Sequence, residues 1–302
     1  MSLRRQSKPD GFTLVELLVV VVIIAVLSAI LLPVVAGMRQ RANMSREIAA
    51  ARQVMAAYLL YPSDHDGELM PGFGPFPAKD DQGKEVHSPV NFRYPWRLAP
   101  YLRYDMRILW GNNADDRLSK LAQGPRDAYI YGVSVQPALG INAAYVGGDY
   151  QVLPPNKAKA IDRYGQFCVT RLSQAVKPQQ LIVFASAGAE HEGQHLSGYF
   201  KVDAPNFTGR NWTVTDASEA SPDSTGHVHF RYQGKAVAAM LDGHVELLDF
   251  DQMNDMRRWS NQAGQADNRQ WKLGQSDEPS SSSSSEPIDT GGPIDAKPTN
   301  SN

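Results

Sequence analysis

The stretch GFTLVELLVVVVIIAVLSAILLPVVA, residues 11–36, is the most informative part of this sequence. From residue 17 onward only Ser28 and Pro33 interrupt its aliphatic residues. About 20 apolar residues are enough to cross a bilayer as a helix. Basic residues precede the run, and basic flanks stay on the cytoplasmic side of a membrane. The sequence therefore predicts one membrane span, with the N-terminus in the cytoplasm and the rest of the chain outside.

Two ordinary explanations of this run leave something unexplained. A cleaved secretory signal has a shorter apolar core and ends in small residues such as Ala-x-Ala, and no such pattern follows Pro33. A plain signal anchor accounts for the length but not for Glu16, because an acid at membrane depth is costly unless it has a partner. An interpretation that supplies a partner for Glu16 is preferable.

The hexapeptide Gly11-Phe12-Thr13-Leu14-Val15-Glu16 resembles the cleavage and methylation signature of type IV prepilins and type II secretion pseudopilins. The resemblance implies that prepilin peptidase cuts after Gly11 and methylates the new amino terminus, Phe12. It also implies that Glu16 pairs with the terminal amine of a neighbouring pilin or pseudopilin subunit during assembly. The expected location is the bacterial inner membrane, with the head periplasmic or carried into an extracellular filament.

The helical pattern continues beyond the membrane. Apolar residues recur at three- and four-residue steps from Met44 to Tyr58, which indicates an amphipathic helix. The pattern places Glu47 and Arg52 on its polar faces. From residue 12 to about residue 61 this helix would be roughly 75 Å long at 1.5 Å per residue.

The predicted organisation has five parts: a cleaved leader at 1–11, a transmembrane helix half at 12–36, an amphipathic stem at 37–61, a globular head at 62–273 and a disordered serine-rich tail at 274–302. The tail is too poor in apolar residues to offset its ordering entropy. The predicted fold class is α+β and pilin-like, with the long N-terminal helix packed on an antiparallel β-sheet. One short helix is expected around Tyr94-Pro95-Trp96, and strands are expected at 128–133, 166–172, 180–185, 197–202, 227–232, 235–241 and 244–250.

The last three of these strands would form a meander with turns at Gln233-Gly234 and Asp242-Gly243, because Asp-Gly between alternating strands favours a hairpin. This end also resembles bacterial pilin-like proteins that finish in a histidine, nine residues and Asp-Gly. Asp242 and Gly243 fit that pattern, whereas Tyr232 stands at the place of the histidine.

Two segments could hold a metal. His191-Glu192-Gly193-Gln194-His195 fits the zinc-protease pattern His-Glu-x-x-His, so a membrane-anchored zinc hydrolase is the alternative function. That chemistry needs both histidines one helical turn apart, whereas this match follows a predicted strand and contains a glycine. Asp64 and Asp66 precede a glycine and could ligate calcium, although a turn that ends the helix explains them equally well.

Composition excludes several other classes. The 302 residues carry a net charge of −2, which argues against a nucleic-acid binder. Cys168 is the single cysteine, so no internal disulfide can form, and we expect it to be a small core residue. The sequence predicts a structural subunit, not an enzyme, and no cofactor other than the possible calcium.

Overall fold

One uninterrupted helix, α1 (Leu14–Asp64), joins the apolar segment to the head. The computed structural model describes residues 13–113, 117–150, 166–191, 193–207 and 211–274. At 1.5 Å per residue, α1 is roughly 75 Å long. It ends three residues beyond the predicted position, where the amide of His65 donates to the carbonyl of Pro62 at 3.3 Å. The predicted leader and tail lie outside the described residues.

Short helices and a small sheet make up the rest of the described chain. The α-helices are α2 (Tyr94–Leu98), α3 (Met106–Trp110), α4 (Ser119–Ala122), α5 (Arg126–Val135), α6 (Phe250–Met253) and α7 (Asn261–Gln265). Single 3₁₀ turns cover Val90–Phe92, Ala99–Leu102, Gly111–Asn113, Leu172–Gln174, Ala217–Glu219 and Met256–Arg258. The expected helix around Trp96 is confirmed as α2.

The main sheet has five strands in the order β5-β1-β2-β6-β7. Every neighbouring pair is antiparallel except β1 and β5, which are parallel. A separate hairpin, β3-β4, follows β2. The strands are β1 (Leu139–Asn142), β2 (Ile182–Ser186), β3 (Ala189–His191), β4 (Gln194–Leu196), β5 (Lys201–Val202), β6 (Lys235–Met240) and β7 (Val245–Asp249).

The sheet is buried on both faces. Val237 and Ala239 of β6 pack with the stem part of α1, including Val54 and Tyr58. The alternate residues of β6 belong to a second cluster, which includes Trp259; they are Ala236, Ala238 and Met240. Alternation along a strand sends successive side chains to opposite faces, so β6 contributes to both cores. The α+β architecture with the long helix packed on an antiparallel-rich sheet is therefore confirmed, whereas the second layer was not predicted.

The segment predicted as a strand at 128–133 is helical, as part of α5. Its aromatic and β-branched residues favour strands, but tertiary packing prevails here. The indole of Trp96 donates to the carbonyl of Ile130 at 2.9 Å. A Cβ added at Gly132 would lie 2.8 Å from Leu121, so the glycine lets α5 and α4 approach closely.

The C-terminal meander has two strands, not three. β6 and β7 form the predicted hairpin, but the described residues of 227–232 make only single bridges, Val228 to Ala187 and Tyr232 to Lys235. The other edge of β6 is occupied by β2, which leaves no place for a third consecutive strand. Likewise 166–172 makes isolated bridges and no ladder, and 197–202 is a strand only at Lys201–Val202. The strand predicted at 180–185 corresponds to β2.

Candidate assembly segment

A capping box closes the N-terminal end of α1. The backbone amide and hydroxyl of Thr13 donate to Glu16 Oε2 at 2.9 and 2.8 Å, and the Glu16 amide donates to Thr13 Oγ1 at 3.3 Å. A capping box satisfies backbone donors that have no partner inside the helix. A carboxylate in the first turn also meets the positive end of the helix dipole. Thr13 and Glu16 are both exposed. Gly11 and Phe12 lie outside the described residues.

The apolar half of α1 is not buried against the head from Leu14 to Leu32. An 18-residue window within the helix has a mean hydropathy of 3.3, and none of it is buried. Large aliphatic side chains from Leu14 to Leu32 are 44–80% exposed. A core helix of a globular domain would cover such residues, so this half fits a membrane anchor.

Comparison with known proteins agrees with this geometry. Residues 7–32 match the family model described as the prokaryotic N-terminal methylation motif. The match supports a type IV pilin-like family. It spans the capping box and most of the apolar run, and the proteins that carry this motif are structural. No curated protein and no solved structure matches the chain.

A buried carboxylate that the sequence pattern did not reveal joins the stem to the head. Glu47, assigned above to a polar face, has a relative exposure of 0%. Its Oε1 accepts from Ser186 Oγ at 2.5 Å, and its Oε2 accepts from the Tyr232 hydroxyl at 2.6 Å. Arg231 Nη1 lies 3.5 Å from the same Oε2. The sequence does contain a sign of this burial: Glu47 precedes Ala51 by four residues, so both lie on the apolar face of the helix.

The hydrogen bond to Glu47 gives Tyr232 a structural role in joining the stem to the head. Its hydroxyl also accepts from Asn112 Nδ2 at 3.0 Å. Burial raises the pKa of the Tyr232 hydroxyl, and the Glu47 carboxylate beside it acts in the same direction. The hydroxyl therefore stays protonated and donates to Glu47. The resemblance of the C-terminal end to other pilin-like proteins stays a prediction.

Asp242 and Gly243 form the turn between β6 and β7, as predicted. Asp242 Oδ1 accepts from the His244 amide at 3.1 Å and lies 2.6 Å from His244 Nδ1. Gly243 has a φ of 99°, a conformation that glycine adopts without steric cost. These two residues are therefore explained by turn geometry.

The zinc-protease alternative has no structural support. His191 and His195 belong to the β3-β4 hairpin, where His191 pairs with Gln194 and His195 pairs with Glu190. Two adjacent strands cannot reproduce the one-turn helical spacing that the chemistry requires. Glu192, the proposed general base, lies outside the described residues. Within the described ranges, no group of three or more His, Cys, Asp or Glu side chains could hold a metal.

Asp64 and Asp66 lie at the C-terminal end of α1. Asp64 Oδ2 accepts from the Tyr101 hydroxyl at 3.0 Å, and the backbone carbonyl of Asp66 accepts from Arg171 Nη1 at 2.7 Å. Asp66 has a φ of 50° and Gly67 a φ of 77°, so the chain reverses here. Calcium binding at this turn stays a prediction.

Proposed function

We propose that this chain is a prepilin-like structural subunit. Prepilin peptidase would cut after Gly11 and methylate Phe12, and the mature chain would assemble with other pilin-like subunits. The product would be a type II secretion-like pseudopilus or a type IV pilus-like filament. Before assembly the subunit would span the inner membrane once, with its head on the outer side.

The observation that carries this proposal is Glu16, a carboxylate at the start of an apolar helix that carries the methylation motif. Within the described residues its bonds come from Thr13, one turn back along the same chain. Those bonds leave its negative charge without a counter-charge. An unpaired charge is costly at membrane depth, and the new amine at Phe12 of a neighbouring subunit would supply the partner.

The apolar half of α1 supports the second part of the mechanism. Its side chains are exposed around the whole helix, and such a surface needs either lipid or other apolar helices around it. In a filament the stems of neighbouring subunits would replace the lipid. The heads, which have their own buried cores, would form the outer surface.

Substitution of Glu16 by glutamine tests the proposal in cells that have the peptidase and the assembly machinery. We expect Glu16→Gln to be cleaved after Gly11 but to yield less filament in the sheared fraction. The loss should be roughly tenfold or more, because the Phe12 amine of the neighbouring subunit would then lack its counter-charge in lipid, which costs more than about 1.4 kcal/mol. Glu219→Gln, at an exposed position in the head, serves as the control. Equal filament yield from both variants would contradict the assembly role of Glu16.

A further inference from the structure

Two arginines follow the apolar half of α1 within one and a half turns. Residues 17–36 give a helix of about 30 Å, which matches the hydrocarbon core of a bilayer, and the headgroup layer adds roughly 5–7 Å on each side. Arg39 and Arg41 lie three and five residues beyond Ala36, or about 5 and 8 Å farther along the axis. Helical side chains lean toward the N-terminus. If the chain spans the membrane as proposed above, both guanidinium groups therefore reach the lipid headgroups.

Of these two arginines, Arg41 lies on the side of the helix that faces the head. It precedes Met44 by three residues and Ile48 by seven, a spacing that places all three on one face of the helix. Met44 and Ile48 pack against the core of the head, whereas Arg41 is exposed. Arg39 comes two residues earlier, so it lies on a different face.

A small cavity of about 130 Å³ lies beside Arg41, at the junction of the stem and the head. The helix contributes Gln40, Arg41 and Met44 to its walls, and the turn before β6 contributes Tyr232 and Gln233. At roughly 30 Å³ for each water-sized oxygen, this volume accommodates about four oxygens, the number in a phosphate group. The guanidinium of Arg41 and the two glutamine amides can donate hydrogen bonds to such a group.

The guanidinium of Arg41 is available to a ligand. Within the described ranges no carboxylate pairs with it, and no group accepts a hydrogen bond from it. Glu47, the closest acidic residue of the helix, is already bonded to Tyr232 and lies beside Arg231. A guanidinium without a counter-charge binds phosphate oxygens in a bidentate manner.

We propose that this cavity holds the phosphate of an acidic phospholipid from the outer leaflet of the inner membrane, with Arg41 as the principal donor. A lipid is the source of the phosphate because the cavity lies at headgroup depth. Bound there, the lipid would hold the base of the head against the membrane surface before assembly. This proposal rests on the membrane orientation given under the proposed function.

Native mass spectrometry of the full chain released from detergent micelles tests the proposal. Phosphatidylglycerol is the acidic probe, and phosphatidylcholine with the same acyl chains is the probe without net charge. We expect phosphatidylglycerol to bind roughly fivefold or more tightly, the contribution of one basic residue near an anionic lipid. Equal dissociation constants would overturn the proposal, as would displacement of phosphatidylglycerol by inorganic phosphate. The same spectra give the mass of the chain, so removal of the leader is read separately from lipid binding.

A pair of variants locates the lipid. Arg41→Gln should remove the preference for phosphatidylglycerol, and the head should stay folded because this side chain is exposed. Arg39→Gln makes the same charge change at nearly the same depth but on another face of the helix, so it should keep the preference. Retention of the preference in Arg41→Gln would refute the site. An equal loss in both variants would also refute it, because it would indicate general attraction of acidic lipid to a basic helix.

Discussion

At the scale of single residues, Glu47 fixes the stem helix to the sheet through three side chains. Ser186 lies in β2, and Arg231 and Tyr232 lie just before β6. Ser186 Oγ also accepts from the Val237 amide at 2.8 Å, so the hydroxyl that donates to the stem is held by the sheet. A buried polar network of this kind favours one packing of helix on sheet over shifted alternatives.

Removal of the Glu47 carboxylate should be costly because it strands its partners. We expect Glu47→Ala to lower the free energy of unfolding by about 3–5 kcal/mol, since Arg231 then stays buried without a counter-charge. Glu47→Gln keeps a hydrogen-bond acceptor and should cost about 1–3 kcal/mol. Urea unfolding of the full chain in detergent, followed by tryptophan fluorescence, measures both. Glu219→Ala, at an exposed site, is the control, and similar values for all three variants would contradict the anchoring role.

Two glycines with nearly the same φ separate the cost of an unfavourable backbone angle from the cost of a steric clash. Gly147 has a φ of 73°, and an added Cβ would lie 2.1 Å from the carbonyl oxygen of Met70. Gly83 has a φ of 77°, with nothing within 4 Å of an added Cβ. Gly83→Ala should therefore cost about 1–2 kcal/mol from conformation alone. Gly147→Ala should cost clearly more or prevent folding. Equal unfolding midpoints in urea would show that the Gly147 contact is unimportant.

At the scale of elements, α1 is one helix with two functions. Its first part is exposed and apolar, whereas its later part contributes Val54, Met55 and Tyr58 to the core of the head. The helix is continuous across this change, because its backbone has the same geometry whether its side chains contact lipid or protein. The composition of each face is what changes along the helix.

Truncation should separate the two parts of α1. A chain that begins at Gly37 loses the apolar half of α1, which is exposed from Leu14 to Leu32. We expect it to remain in solution without detergent, with the head's urea midpoint unchanged. A chain that begins at Ala49 also loses Glu47, so its head should be less stable by roughly 3–5 kcal/mol. Circular dichroism and urea unfolding measure both, and a destabilised head in the longer chain would contradict the division.

The elements also show what the sequence could predict. The long apolar run and the helical spacing of the apolar residues that follow it predicted α1. Asp242-Gly243 predicted the turn between β6 and β7. The strand predicted at 128–133 was wrong because contacts with Trp96 and Leu121, which lie in other helices, determine that segment. Glu47 was misplaced because its partners come from residues more than a hundred positions away.

At the scale of the whole molecule, the partly buried His229 makes stability depend on pH. Burial lowers the pKa of His229 to about 4, and the nearby positive charges of Arg231 and His195 act in the same direction. An unfolded chain takes up this proton near its ordinary pKa of about 6.5. The folded state should therefore lose stability as pH falls from about 7 to about 4, with no further loss from this group below that.

Comparison of urea midpoints across that pH range in His229→Gln and in the unsubstituted chain measures the contribution of His229. The variant should show a smaller loss of stability on acidification. His87→Gln, which changes an exposed histidine, should keep the pH dependence of the unsubstituted chain. An unchanged slope in His229→Gln would mean that His229 takes up its proton equally in both states.

The most direct test of the whole account is mass spectrometry of the N-terminus of the protein from cells that have prepilin peptidase. The account predicts a mature chain that begins at N-methylated Phe12, with the leader through Gly11 removed. An intact Met1 terminus in those cells would contradict it, because Glu16 would then have no neighbouring Phe12 amine to pair with.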